Sequence, residues 1–315
     1  MKVLITGITG MIGSTFSSYL KMAGHEVYGI ARPSALARQK VFEDEHFRFC
    51  DILDKQSLAT VFERWRPEIE IVIHLAAQAF NSISWEMEHV TLLNNIGGTL
   101  NVLQCCREFC PNAKLLVACS STEYGEVPIE ETPIKEERLL RPVSPYGVSK
   151  VAAECLGYQY FSNYGLKVFL PRLFIHVGPG HPPATAIQNF ARQLALIRKG
   201  LCPPIVKVGR LDTARDFIDA RDGVKAMMLL LEKGRPGEPY NICTGEAHTV
   251  QWVLDSLIRI SDLNVEIVED HCLMRPSDEA LLLGDSSKIT ALGWKPDFTL
   301  EQTLTDIYND WLARV

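Results

Sequence analysis

Lys2-Val3-Leu4-Ile5-Thr6-Gly7-Ile8-Thr9-Gly10-Met11-Ile12-Gly13 begins the chain, and the fold follows from how these residues alternate. Val3, Leu4 and Ile5 make an unbroken apolar run, as in a strand buried on both faces of a sheet. Gly7, Gly10 and Gly13 come next, and helical periodicity takes over from about residue 12 to residue 22. Glycines at such a junction permit a tight turn and let the backbone approach a pyrophosphate, whose charge meets the helix N-terminus. A glycine trio alone says little. Directly after a strand and before a helix it points to dinucleotide binding, with Met11 and Ile12 in the same turn, rather than to a turn without a ligand.

The same alternation continues through the first half. Strands are expected at residues 2–6, 26–30, 47–50, 69–75, 114–119 and 167–170. Helices are expected at 12–22, 56–65, 86–109 and 146–164. This pattern is that of a doubly wound α/β fold with a parallel sheet. After Phe174 the texture changes: His176-Val-Gly-Pro-Gly-His-Pro-Pro183 is too rich in Gly and Pro for a helix or a central strand. A helix at about 185–199 follows, then one capped by Thr249, then a final amphipathic helix carrying Leu300, Leu304, Ile307 and Trp311. The expected division is a dinucleotide-binding part, residues 1–174 with 212–244 returning to it, and a smaller α/β substrate-binding part, 175–211 and 245–315.

Bulk properties narrow the partners. With 315 residues, 47% of them hydrophobic, the chain is long enough for a well-buried core. A net charge of −6 argues against a nucleic acid or an anionic membrane surface. No apolar stretch approaches the ~20 residues needed to cross a bilayer. The chain starts straight into strand sequence without a basic leader, so the expected location is cytoplasmic. The nine cysteines form no Cys-x-x-Cys pair and no histidine is spaced to complete a zinc site, so no metal is expected.

The end of the second strand selects the dinucleotide. An acidic residue there would bind the ribose 2′-hydroxyl of NAD and repel the 2′-phosphate of NADP. The sequence instead reads Gly29-Ile30-Ala31-Arg32, with Arg38 nearby, which leaves room and positive charge for a 2′-phosphate. NADP is expected, with NAD the alternative. Asp51 and Ile52, after the third strand, either flank the adenine or, for Asp51, cap the next helix.

Tyr146-Gly147-Val148-Ser149-Lys150 sets a phenol and an ammonium one helical turn apart on one face. A free tyrosine titrates near 10 and is a poor acid–base catalyst at neutral pH. A lysine beside it, with a cationic nicotinamide, favours the phenolate and moves the group toward a useful range. Ser120 and Ser121 end the fifth strand, where a hydroxyl can meet the same substrate oxygen.

On the glycine trio, His74-Leu75-Ala76-Ala77, Asn95-Ile96-Gly97-Gly98-Thr99, Ser120 to Gly125 and Ser144-Pro145-Tyr146 through Lys150, the chain resembles the extended short-chain dehydrogenase/reductase superfamily. The likeness runs nearly end to end. Within that branch the chain is similar to the group of GDP-mannose 4,6-dehydratase and GDP-4-keto-6-deoxy-mannose reductase. The pointers are Pro171-Arg172-Leu173-Phe174, Gly178-Pro179-Gly180, Val208-Gly209, Arg215-Asp216-Phe217 through Asp222 and Arg275-Pro276-Ser277. The resemblance implies that Tyr146 moves the proton, Lys150 lowers its pKa and holds the ribose, and Ser120 binds the reacting oxygen. It also implies that Leu75, Ala76 and Ala77 line the dinucleotide, that Arg215 and Arg275 grip a sugar nucleotide's pyrophosphate, and that two copies pair through the helices at 86–109 and 146–164.

Two departures bear on the reaction. Dehydratases of the group carry a glutamate two residues before the tyrosine of the Tyr-Gly pair. Here that place holds Thr122, a substrate-contact candidate, and the acid stands at Glu123. In an extended segment a shift of one residue turns the side chain to the opposite face. The group's Asn before the histidine of its Phe-Asn-His segment is Ile175 here. The leading expectation is therefore a reductase acting at C4 of a nucleotide-linked 4-keto-6-deoxy sugar. A 4-epimerase comes next and a 4,6-dehydratase third, and a non-catalytic dinucleotide sensor is the alternative from another class.

Overall fold

In the computed structural model the opening apolar run is strand β1 (Lys2–Thr6), in which Val3, Leu4 and Ile5 are fully enclosed. The structure describes residues 1–32, 45–66, 69–273 and 280–315. Arg38 and Arg275-Pro276-Ser277 lie outside the described residues. β1 is flanked by β2 (Glu26–Ala31), beyond which lies β3 (Phe47–Phe49), and on its other side by β4 (Ile71–His74). β5 (Lys114–Val117), β6 (Cys119–Ser120), β7 (Lys167–Leu173) and β11 (Pro239–Ile242) complete the layer. The order is β11-β7-β5-β4-β1-β2-β3, with β6 beside β7, and every pair is parallel. The order reverses between β1 and β4, the place where ligands bind in such sheets. This is the doubly wound Rossmann fold expected from the sequence.

Helices cover both faces, because strands buried on two sides need two apolar layers. On one face α1 (Met11–Met22) packs against α8 (Ala220–Lys233), bringing Phe16 and Leu20 onto Val224, Met227 and Leu230. On the other lie α2 (Lys55–Trp65), α5 (Gly98–Phe109) and α6 (Pro145–Tyr164), which supply Leu58, Phe62, Val102, Leu103 and Tyr160. Each such side chain contributes roughly 1.5–3 kcal/mol on burial.

The helix expected at 86–109 is interrupted. It begins as α3 (Asn81–Glu86), breaks at Met87 (φ −122°, ψ 45°), resumes as α4 (Glu88–Leu92) and widens into a π turn over Leu93–Gly97 before α5. The wide turn re-aims Asn95 into the interior, where its amide bonds described below are made. The strand expected at 114–119 is divided as well, because the Ala118 carbonyl between β5 and β6 accepts a bond from Lys150 Nζ at 2.7 Å.

β8 (Ile175–Val177) leaves the C-terminal end of β7 and joins β10 (Ala214–Asp219), β12 (Ala247–Thr249) and β14 (Leu281–Leu282) in a small sheet. From residues 212–244, α8 and β11 join the large layer, whereas β10 belongs to the small one. β9 (Ile205–Val208) and β13 (Glu266–Glu269) pair separately. α7 (Ala186–Arg198), α9 (Val250–Ser261) and α11 (Leu300–Arg314) pack together over Phe190, Leu194, Val253, Leu257, Ile307 and Trp311. α10 (Ser287–Thr290) packs on β11. No described helix is long and apolar enough to cross a membrane.

Candidate active site

The glycine turn is built for close approach. Gly7 sits at φ +74°, where side chains are strained, and a Cβ there would meet the Ala76 backbone nitrogen at 2.9 Å. The turn after β1 and the Leu75-Ala76-Ala77 segment after β4 therefore touch backbone to backbone, with Leu75 N donating to Thr6 O and Ala76 N to Thr6 Oγ1. Gly10 caps α1 without a side-chain bond, so the leading N–H groups around Met11, Ile12 and Gly13 face out of the helix.

Arg32 is exposed directly after β2, beside the glycine turn, whose Gly7 N donates to Ile30 O. The cap of α2 falls to Asp54, which accepts from Ser57 N at 3.1 Å, and not to Asp51, which accepts from Leu53 N at 2.9 Å. Ile52 is committed to packing: its side chain lies against Gly98, and Asn101 Nδ2 holds its carbonyl at 2.9 Å.

Behind the turn, His74 is enclosed between two threonines. Thr99 Oγ1 donates to Asn95 O, so it accepts from His74 Nε2 at 3.0 Å, and His74 Nδ1 in turn accepts from Thr6 Oγ1 at 2.8 Å. The ring is thus neutral with its proton on Nε2. Burial, reinforced by the charge of Lys150, holds its pKa down to about 3. Asn95 carries the relay onward: its Nδ2 donates to Ser149 Oγ at 2.9 Å and to Gln78 O, and its Oδ1 accepts from Gln78 N.

α6 starts as the sequence demands. Ser144 Oγ accepts from Gly147 N, Pro145 occupies the first turn, and Gly165 at φ 70° ends the helix. Gly147 is required for contact, because a Cβ there would lie 2.7 Å from the Thr122 carbonyl. Tyr146 is thereby brought beside the turn that bears Ser120. Lys150 Nζ lies 5.8 Å from the Tyr146 ring centre and is fixed by the Ala118 carbonyl.

Ser120 is the hinge of the site. Thr122 N (3.3 Å) and Thr122 Oγ1 (2.9 Å) both donate to its hydroxyl oxygen. The segment Ser121–Glu123 is one turn of 3₁₀ helix rather than extended chain, because Ser120 and Glu123 form a reciprocal cap. Thr122 is partly exposed beside Ser120, whereas Glu123 is fully buried, with Oε1 accepting from Ser120 N at 2.7 Å.

Sequence reasoning gave no role to the interior cluster around Glu123. Arg172 binds Glu154 through Nε (2.8 Å) and Nη2 (2.6 Å), and also donates to Tyr124 Oη and the Glu136 carbonyl. Cys119, Glu123 and Glu154 are the group of metal-ligand type found among the described residues. Glu154 is taken up by Arg172, and burial, with the nearby Glu123 and Glu154, pushes the Cys119 thiol well up. Arg215, in β10, pairs with His248 and Leu282 in the small sheet and donates to Ala214 O.

The profile of the family described as GDP-mannose 4,6 dehydratase matches residues 4–307. The chain belongs to this family. A GDP-6-deoxy-D-mannose reductase of Pseudomonas aeruginosa is 33% identical over 100% of the chain and 98% of that protein. A GDP-mannose 4,6-dehydratase of Vibrio cholerae is 29% identical over 97% and 92%. Among solved structures, RMD from Pseudomonas aeruginosa complexed with NADPH superposes with TM-score 0.88, 33% identity and coverage of 100% and 99%. The Thermus thermophilus UDP-glucose 4-epimerase with NAD gives TM-score 0.88 at 29% identity, covering all of both chains. Membership of the family makes the chain an enzyme of nucleotide-sugar chemistry on a dinucleotide-binding fold.

Proposed function

We propose that the chain reduces the C4 keto group of a GDP-linked 4-keto-6-deoxy-hexose with NADPH. The dinucleotide, when bound, would supply the hydride, and the glycine turn fits it. A Cβ at Gly7 or Gly13 would strike the backbone of Ala76 or of Gly7 and spoil the tight turn that presents the leading N–H groups of α1 to a phosphate. Arg32 suits the 2′-phosphate, in keeping with the NADPH complex of the Pseudomonas relative, while NAD in the epimerase keeps NAD as an alternative. Ser120 Oγ already accepts two bonds from Thr122, which leaves its hydrogen to donate to the keto oxygen. Tyr146 protonates that oxygen as charge develops, and Lys150 sets an ammonium beside the phenolate and reaches the ribose. Arg215 and Arg275 grip the pyrophosphate of the sugar nucleotide.

The observation that supports reduction over dehydration is the pair Thr122 and Glu123. Removing water across C5–C6 requires an acid–base side chain facing the sugar. Thr122 stands beside Ser120 without one, and Glu123 is buried with its carboxyl on Ser120 N. Epimerisation at C4 uses the same tyrosine and lysine, and the likeness to UDP-glucose 4-epimerase keeps it as the second reading. The test is to incubate the protein with a GDP-4-keto-6-deoxy-hexose and NADPH. One NADPH consumed per 6-deoxyhexose formed, by absorbance and NMR, is expected. Interconversion of C4 epimers without added reductant supports the epimerase, and a 4-keto-6-deoxy product from GDP-mannose supports the dehydratase. A sensor would show no stabilisation by any nucleotide sugar beyond that from the dinucleotide.

Exposed Val90 and Leu93, with Val148 and Tyr158 on the adjoining α6, form an apolar face through which a second copy pairs. The nine free cysteines fit a reducing compartment such as the cytoplasm.

A further inference from the structure

Ser120 is held from behind as well as from the substrate side. Glu123 is wholly buried, its Oε1 accepts from Ser120 N at 2.7 Å, and its Oε2 has no hydrogen-bond partner among the described residues. The nearest cation, Arg172, stands 3.7 Å from that oxygen but spends four hydrogen bonds on Glu154, Tyr124 and the Glu136 carbonyl. One guanidinium thus faces two carboxyl groups, Glu123 from the turn and Glu154 from α6, one helical turn beyond Lys150. Cys119, Tyr124 and Cys155 beside them stay neutral because burial raises all three. Glu136 flanks Tyr124 and is itself raised by burial, and Lys150 faces Cys119 as the second cation.

We propose that Glu123 is a positioning residue for the C4 chemistry, a neutral acid clamped between Ser120 N and the Glu154–Arg172 pair that sets where the Ser120 hydroxyl points. The proposal rests on the C4 reading given above. A proton on Oε2 completes the cluster: the acid donates to Glu154, the charges balance as one guanidinium and one carboxylate, and no buried acceptor is left bare. Burial, then the repulsion of Glu154, pushes the Glu123 carboxyl well above its usual range, with Arg172 opposing.

Glu123→Gln mimics the neutral acid, with a carbonyl for Ser120 N and an amide N–H for Glu154. It is expected to keep kcat within about threefold. Glu123→Leu removes the clamp and is expected to lower kcat by roughly tenfold to a hundredfold with KM for NADPH unchanged. Ser120→Ala added to Glu123→Leu is expected to cost little more, because Glu123 acts through Ser120. The infrared spectrum at neutral pH is expected to show a protonated-carboxyl stretch in the wild type that Glu123→Gln removes. If the Leu variant does not fold, Glu123→Asp, a methylene shorter, replaces it in the cycle. Fully additive losses, or a Gln variant as impaired as the Leu variant, or a spectrum without that band, overturn the proposal. A wild-type protein inactive on every 4-keto sugar instead sinks the C4 reading, and the infrared band still decides the state of Glu123.

Discussion

Behind the glycine turn, His74 lies between Thr6 and Thr99; behind the Ser120 turn, Glu123 lies between Ser120 and Glu154. Both are ionisable groups shut away from water, and each adjoins a residue proposed to act on the substrate: Lys150, whose charge reaches His74, and Ser120, whose N–H donates to Glu123. The histidine is neutral because it has given up a proton, the glutamate because it has kept one. Two hydroxyls satisfy both ring nitrogens of His74 without any charge. The acid cluster retains a charge, Arg172 with Glu154, and needs geometry to keep it. One burial penalty therefore yields a neutral hydrogen-bonded relay behind the glycine turn and an ionic anchor behind the Ser120 turn.

Removing the cation of the anchor should break this contrast most severely. Arg172→Met strands Glu154 and Glu123 together in the interior. It should cost about 3–5 kcal/mol of stability in urea unfolding at neutral pH. A loss below about 1 kcal/mol would mean that the cluster is not the anchor described.

The proton bookkeeping gives opposite pH signatures. The His74 pKa is lowered in the fold, so its contribution is present above about 6.5 and is lost as pH falls toward about 3. The Glu123 pKa is raised, so its contribution is fully present below the ordinary carboxylate range and is lost as pH rises through the folded value. Between pH 7 and 5, His74→Asn should relieve about 2 kcal/mol of acid destabilisation. Glu123→Gln should act in the other direction, removing a gain on acidification. Two variants with parallel stability–pH curves would refute the pairing.

A smaller effect sharpens the picture at the Ser120 turn. Thr122→Val deletes one of the two bonds that Ser120 Oγ accepts. It should lower kcat for the keto sugar by about two- to tenfold, with Thr122→Ser restoring it. Wild-type turnover in the valine variant would remove the orienting role.

The parallel sheet was legible because strand–glycine–helix order and unbroken apolar runs are local signals. Tyr146 and Lys150 were legible because helical spacing places them. Opposite faces for Thr122 and Glu123 were foreseen, though for an extended chain; the 3₁₀ turn arises from a reciprocal cap between Ser120 and Glu123 that spacing alone does not reveal. The break at Met87 and the π turn at Leu93–Gly97 were hidden, because what shapes them is Asn95 bonding to Gln78 and Ser149, 17 and 54 residues away. The Glu123–Glu154–Arg172 cluster was hidden for the same reason, its members coming from a turn, a helix and a strand. Capping chemistry at Asp54 instead of Asp51 lay within the error of any boundary drawn from sequence.

Tyr146→Phe removes only the proton that the proposed reduction draws from this side chain. Stopped-flow turnover of a 4-keto sugar nucleotide, with NADPH affinity measured on the same sample, should show kcat lower by ~10²–10⁴-fold and cofactor binding unchanged. Wild-type turnover by the phenylalanine variant would contradict the assignment of the proton to this phenol.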